Sequence, residues 1–306
     1  MKMEGLKGLF ESKFGLSPEN MLFANSLKEL IYLIPRVLNP KRVLIAGPAP
    51  DLYEDAARSA GSEVLHVNAG EEQGFSFDMA RLQKNIENAD LVFMANPNRI
   101  TGKMIPRETI IETISALPAG RPHFVVDESL VEFAASGVNY ADIINRGNIT
   151  MLRTTAYFYG LPGLELAYAV SSAEVIASYK RSRHWEINLL SAEAARTAYK
   201  DLTFQKISRQ YLQREKSVLV RMLKKIEWIK VYDTDANIIL IKVAKDAEEV
   251  RQKLRRSGFA IKGCGDKSGA GRSFFRLSVM KHENNLKFIS ALNSLNQGNQ
   301  ARRDLS

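Results

Sequence analysis

NITMLRTTAYFYGLPGLELAYAVSS, residues 148–172, is the stretch from which the rest of the chain can be placed. An apolar run, Ile149 to Leu152, stops at Arg153 and crosses a polar and aromatic loop. The chain then turns at Gly160, Leu161, Pro162 and Gly163 and resumes as the apolar run Leu164 to Val170. That pattern predicts strand, exposed loop, tight turn and strand. In an open α/β sheet, the loop leaving the carboxyl end of a strand is where a ligand is expected.

Working outward, the same grammar repeats upstream. Arg42 to Ala46 predicts a buried strand, GPAPDLYEDAARSAG a turn and helix, and Glu63 to Val67 the next strand. A helix over Phe77 to Asn88 precedes a strand over Asp90 to Met94, and Pro106 starts another helix, where its missing N–H costs nothing. HFVVD, residues 123–127, is a strand ending in Asp127. Strands separated by helices and short loops predict an α/β layer structure. Nearer the start, Met1 to Leu16 reads as an amphipathic helix carrying Leu6, Leu9, Phe10 and Phe14, followed by a short strand and a helix over Leu27 to Leu38.

Downstream, helices are expected over Ala173 to Arg181, Ser191 to Asp201 and Phe204 to Trp228. Strands over Lys230 to Asp233, Asn237 to Val243, Ala260 to Lys262 and Phe274 to Val279, with helices over Ala247 to Ser257 and Glu283 to Leu295, predict a smaller α+β domain. The expected divisions are an N-terminal helix (1–20), a large α/β domain (21–203), a small α+β domain (204–295) and a polar tail (296–306) expected to be disordered.

Composition bounds the function. The 306 residues are 45% hydrophobic and 25% charged, as in ordinary globular proteins. No apolar run approaches the roughly 20 residues of a membrane span, and MKMEGLKGLFESKFGL has no signal-peptide core, so a cytoplasmic protein is expected. A single cysteine, Cys264, excludes an internal disulfide, and His66, His123, His184 and His282 show no metal-ligand spacing. The net charge of +9 is concentrated in helical segments without a nucleic-acid motif. An anionic small molecule or an acidic protein partner is therefore expected ahead of nucleic acid.

Several segments, in order over residues 17–295, resemble fold-type-I pyridoxal-phosphate (PLP) enzymes of the class I/II aminotransferase type, threonine-phosphate decarboxylases and histidinol-phosphate aminotransferases in particular. RTTAYFYGLPGLE is similar to their lysine loop, ANPNRITG to their Pro-Asn-Asn-Pro-Thr-Gly motif, VVDES to Val-Asp-Glu-Ala-Tyr, and IKGCG with FFRLS to the Arg-Asp-Cys loop and its following arginine strand. The resemblance implies a mostly parallel seven-stranded sheet sandwiched by helices, with a smaller C-terminal α+β domain. It also implies a homodimer.

For the site, the resemblance implies PLP contacts at Asp127 (pyridine nitrogen), at Asn25 and Ser26 (the phosphate-receiving helix start) and at Asn98, with Arg276 gripping a substrate carboxylate. The position of the imine-forming lysine falls on Tyr157, and a phenol cannot form an imine. Ala156 replaces the small hydroxyl residue before it, and Glu165 replaces the arginine of the phosphate site. Pro50, Arg99 and Leu130 stand at the stacking and phenolic-oxygen positions. These departures lead to the expectation of a non-catalytic binding or regulatory protein without covalent PLP. The rival expectation is an active decarboxylase or aminotransferase for a phosphorylated amino acid, with non-covalent PLP or another lysine such as Lys180 or Lys28. A third is acid–base chemistry by Tyr157 and Asp127.

Overall fold

The computed structural model describes residues 2–15, 17–117, 121–134, 144, 148–264 and 269–303. Met1 and Leu16 of the first expected helix, Gly265 of the IKGCG segment and the last three residues of the tail lie outside the described residues.

Seven strands form the large sheet: β1 (Met21–Ala24), β2 (Arg42–Gly47), β3 (Glu63–Asn68), β4 (Leu91–Ala95), β5 (His123–Asp127), β6 (Ile149–Thr154) and β7 (Ala167–Val170). Their spatial order is β1-β7-β6-β5-β4-β2-β3. The run from β3 to β6 is parallel, while β7 is antiparallel to both β6 and β1. The fold is thus the mostly parallel seven-stranded α/β sheet expected, made mixed by the antiparallel β7.

The apolar strands are continuous runs because both faces are covered. In β4 the side chains alternate between two cores, Val92 and Met94 on one face and Leu91 and Phe93 on the other. The first face packs on α1 (Lys2–Phe14), α4 (Met79–Ile86), α5 (Arg107–Ser115) and α7 (Leu189–Lys200), through residues such as Phe10, Leu82, Ile114 and Ala195. The second packs on α2 (Leu27–Leu38), α3 (Asp51–Ser59) and α6 (Ala173–Ser182), through Leu30, Ile34, Tyr53, Ala57 and Tyr179. Burying a Leu- or Phe-sized side chain stabilises by about 1.5–3 kcal/mol, so the two layers account for the sheet's place at the centre of the domain.

Asp201 ends α7 and caps α8 (Leu202–Leu223), accepting the Phe204 N–H at 2.8 Å; this cap sets the helix start two residues before the one expected. α8 leads into the small antiparallel sheet, β10-β11-β9-β8, made of β8 (Ile229–Val231), β9 (Ile238–Val243), β10 (Lys262–Gly263) and β11 (Phe274–Ser278). With α9 (Ala247–Arg256) and α10 (His282–Arg303) it encloses a core of Leu223, Ile239, Ile241, Leu254, Phe275 and Leu292. α10 extends to Arg303.

The two domains meet at a polar seam. Glu71 accepts from Tyr232 Oη at 2.6 Å, Lys242 Nζ at 2.7 Å and Lys230 Nζ at 3.2 Å. These contacts hold its carboxyl down at about 2, the Lys242 hydrogen bond contributing most. Gly102, at φ +74°, lets the Asn98–Lys103 turn approach β9 so closely that a Cβ there would lie 2.6 Å from the Ile238 carbonyl. Nearby, the carboxyl ends of β4 and β5 lie side by side, Ala95 opposite Asp127, and the loop after β4 is tied to β11 through Arg276.

Candidate active-site cleft

At those strand ends, Asp127 is fully buried. Its Oδ1 accepts from the Ser129 N–H at 2.9 Å, and its Oδ2 accepts from Tyr53 Oη at 2.5 Å and Arg99 Nη1 at 3.3 Å. Each donor arrives from a different element. Tyr53 projects from α3 and is held flat on Phe93 of β4, with ring centroids 5.1 Å apart and planes 10° from parallel. Ser129 lies in the turn after β5, and Arg99 in the loop after β4. Burial and the adjacent Asp127 charge raise the Tyr53 phenol well above its ordinary pKa, keeping it a donor. The Arg99 guanidinium, despite desolvation, is held firmly charged, chiefly by Asp127.

Arg99 extends the network in two directions. Its Nη2 donates to Tyr157 Oη at 2.7 Å, with the guanidinium 5.4 Å from the Tyr157 ring centroid. Its main-chain carbonyl accepts from Arg276 Nη1 at 2.6 Å, which ties β11 of the small domain to the β4 loop. Burial, followed by the charge of Arg99, lowers the Arg276 pKa from its ordinary value. Tyr157 is half exposed, and burial of its phenol outweighs the pull of Arg99, so its pKa is raised. A phenol that is harder to ionise and already accepts from Arg99 is poorly placed to act as a base with Asp127.

A second cluster forms around Glu165, between the Pro162–Leu164 turn of 3-10 helix and β7. Its Oε1 accepts from the Leu27 N–H, the first residue of α2, at 2.9 Å and from Thr154 Oγ1 at 2.6 Å. Thr154 in turn accepts from the Ala156 N–H at 3.1 Å, which fixes the start of the Tyr157 loop. β6 and β7 are paired at this point, Thr154 opposite Ala167, so the carboxylate is carried to the helix by the sheet register. Gly160, at φ +63°, closes the intervening turn.

The remaining sequence-identified residues lie around these clusters. Ser26 caps α2 by accepting from the Glu29 N–H at 3.2 Å. The Asn25 side chain donates to the Glu186 carbonyl and accepts from the Asn188 N–H, both at 2.8 Å, pinning the segment before α7. Asn98 donates to the Pro48 carbonyl at 2.9 Å and accepts from the Ile100 and Thr101 N–H groups, shaping the loop that presents Arg99. Lys180 reaches the Pro18 carbonyl at 3.4 Å, and the Lys28 amine lies 5.7 Å from the Tyr32 ring centroid; neither joins the Asp127 cluster.

Two members of the site escaped the sequence reading. Tyr53 reads as a packing residue, and it is one, but its hydroxyl also completes the Asp127 cluster. Thr154 looks like an ordinary strand end. Among the described residues no group of acidic, His or Cys side chains could hold a metal, and no helix is long and apolar enough to cross a membrane.

With this geometry in view, comparison with known proteins is informative. The family model "Aminotransferase class I and II" matches residues 6–292. The chain is 31% identical to histidinol-phosphate aminotransferase 2 of Archaeoglobus fulgidus over 95% of its length and 82% of that protein. It is 23% identical to the threonine-phosphate decarboxylase of Salmonella typhimurium over 91% of its length and 77% of that protein. Among solved structures, the histidinol-phosphate aminotransferase of Sinorhizobium meliloti in complex with pyridoxal-5'-phosphate superposes with a TM-score of 0.84 at 20% identity, covering 96% of this chain and 82% of that one. The sheet order, the small C-terminal domain and the near-complete family match together place this chain in the class I and II aminotransferase family of PLP-dependent proteins.

Proposed function

We propose that this chain is a non-catalytic member of the family, a binding or regulatory protein that carries no covalently attached PLP. The observation that carries the reading is the chain Asp127, Arg99, Tyr157. PLP needs an amine for its imine and an acid free to pair with its ring nitrogen. At the position that the resemblance assigns to the amine stands a phenol, and the assigned acid already holds a guanidinium at 3.3 Å. The residues present therefore do not fit the cofactor, and no catalytic step is assigned to it.

What the cleft offers instead is charge. Arg99 is paired with the Asp127 carboxylate, and Arg276, whose Nη1 bonds the Arg99 main-chain carbonyl, brings a second cation in excess of that pair to the domain seam. An anionic small molecule, met by Arg276, suits that excess. We also assign a homodimer, supported by an exposed apolar strip on α7 and α8: Leu189 and Leu190 are 51% and 66% exposed, and Leu202 and Ile207 are 68% and 60% exposed. Leu190 and Phe204 line one apolar groove with Leu161 and Leu164, and exposed apolar surface of that kind suits a docking partner. The protein is proposed to act in the cytoplasm.

The test is spectroscopic. Purified protein incubated with PLP should show no imine absorbance band beyond that of free cofactor, and borohydride should leave no pyridoxyl-lysine on any tryptic peptide. A reduced adduct at a defined lysine overturns the reading and identifies the amine used by an active enzyme.

A further inference from the structure

We infer that the chain carries a second binding pocket, on the opposite face of the large sheet from the Asp127 cleft, which takes a small organic monocarboxylate. Alternation along the strands builds it. In β6, Met151 packs in the core under α1 and α7, and Leu152 in the core under α2. Arg153 therefore returns to the α1 side, where its guanidinium lies 5.2 Å from the Phe14 ring centroid. Glu128, one residue past Asp127, likewise turns away from the cleft, and its Oε2 accepts from Arg153 Nε and Nη2, both at 2.7 Å. Beside this buried pair lies a cavity of about 260 Å³, with Lys13 of α1, Arg153, Arg209 of α8, and Glu132 of the turn after β5 in its walls.

Charge selects the ligand. Lys13, Arg153 and Arg209 bring three cations against two carboxylates, Glu128 and Glu132, which leaves one positive charge in excess. These groups lie in one another's field: burial lowers the Lys13 pKa, Glu132 opposes that, and Arg209 and Arg153 lower it further. Among the described residues, Lys13 and Arg209 meet no carboxylate side chain. The Lys13 amine lies 5.6 Å from the Tyr199 ring centroid, and Arg209 Nε donates to the Glu132 main-chain carbonyl at 3.0 Å, so its terminal nitrogens are left for a ligand. The buried Tyr159 hydroxyl has no partner among the described residues, and burial raises its pKa, keeping it a donor. A monocarboxylate brings one negative charge, matching the excess, and an apolar body for Phe14, Val131 and Ala134, which line the same cavity. Inorganic phosphate, with more charge and no apolar surface, matches neither. The pocket lies outside the cofactor cleft, so the inference holds whether or not the chain is catalytic.

Butyrate is the probe, titrated into the full chain at fixed ionic strength and followed by saturation-transfer NMR. Butyramide, its uncharged counterpart of similar size, and inorganic phosphate are the controls. Wild type should bind butyrate saturably, with a dissociation constant on the order of 1 mM, and should not bind butyramide. Lys13→Met and Arg209→Gln should each weaken butyrate by about fivefold or more, through loss of one charge-assisted contact. Glu132→Gln raises the cation excess and should tighten butyrate by about fivefold; charges that served only to hold the fold together would give no such gain. Arg276→Met, in the cleft, should leave the affinity unchanged. The inference is overturned by an absence of saturable butyrate binding, by equal binding of butyramide, or by phosphate binding as tight as butyrate. Affinity lost in Arg276→Met but kept in Lys13→Met places the carboxylate in the cleft and overturns it too. Should Glu132→Gln or Arg209→Gln fail to fold, Lys13→Met, at an exposed position of α1, still decides, since unchanged butyrate affinity there overturns the inference.

Discussion

Arg99→Met isolates the central pair of the cleft. Asp127 is fully buried and the Arg99 side chain is 16% exposed, so the variant leaves a carboxylate in the interior without its cation. Breaking a buried pair by removing one partner costs about 3–5 kcal/mol. Tyr53 Oη and the Ser129 N–H still donate to Asp127, which puts the expected loss near the lower end, about 3 kcal/mol. For a chain of this size each kcal/mol corresponds to roughly 2–4 °C in unfolding midpoint, so a fall of about 6–12 °C is expected. Urea unfolding followed by the fluorescence of Trp185 and Trp228 measures the change. The decisive variant is the double one, Arg99→Met with Asp127→Asn, in which no charge is stranded. It should recover more than about 1.5 kcal/mol relative to the sum of the single losses, as expected for residues in direct contact. A cost below about 1 kcal/mol for Arg99→Met, or additive single effects, would refute the pairing as the organising interaction of the site.

Two further expectations concern the seams of the molecule. Glu71 is ionised in the fold with its carboxyl held at about 2 by Lys242, Tyr232 and Lys230, against an ordinary value of 4.5. A depressed carboxyl stabilises fully above the ordinary value and loses its contribution as pH falls toward the folded one. Because the side chain is 30% exposed, its contribution is about 1 kcal/mol; the stability gap between wild type and Glu71→Gln should be that large at pH 7 and close near pH 2. Parallel pH curves would show that the seam does not depend on this charge. The exposed strip of α7 and α8 should hold two copies together at tens of micromolar, a scale typical of specific interfaces, and Leu190→Glu should dissociate them in sedimentation velocity. A wild-type monomer at that concentration would rule out the dimer.

The large sheet was legible because its strands are short apolar runs set between helix periods, and burial on both faces forces that composition. β2, β4 and β5 fall where the runs Arg42 to Ala46, Asp90 to Met94 and His123 to Asp127 place them, within a residue. β7 begins at Ala167 and not at Leu164, because the expected turn runs on as the 3-10 helix Pro162–Leu164 and takes in Leu164. Helix ends depended on caps that only the folded chain reveals, as Asp201 shows. In the site, the family resemblance singled out Asp127, Arg99, Tyr157 and Glu165 individually. It could not show that Arg99 bridges Asp127 and Tyr157, since that requires β4 and β5 to be neighbours and the Asn98 turn to aim the guanidinium inward. Nor could it show Glu165 reaching Leu27, because the pairing of β7 beside β1 is a property of the whole sheet.

The substitutions are best understood jointly, because each is chemically compatible with the others and poorly compatible with its absence. Arg99 neutralises Asp127, which would otherwise be an uncompensated buried charge. Tyr157 offers that guanidinium a neutral acceptor, whereas a lysine at the same place would set a second cation about a hydrogen-bond length from Arg99. Glu165 supplies the anion that the start of α2 attracts, while an arginine there would face the positive end of the helix. Introducing a single family-type side chain therefore breaks a satisfied contact before it creates a cofactor contact. On the proposed reading, Tyr157→Lys alone is expected to form no imine with added PLP, since Arg99 would still hold Asp127 and Glu165 would still hold the start of α2; an imine band in that single variant would refute the joint reading.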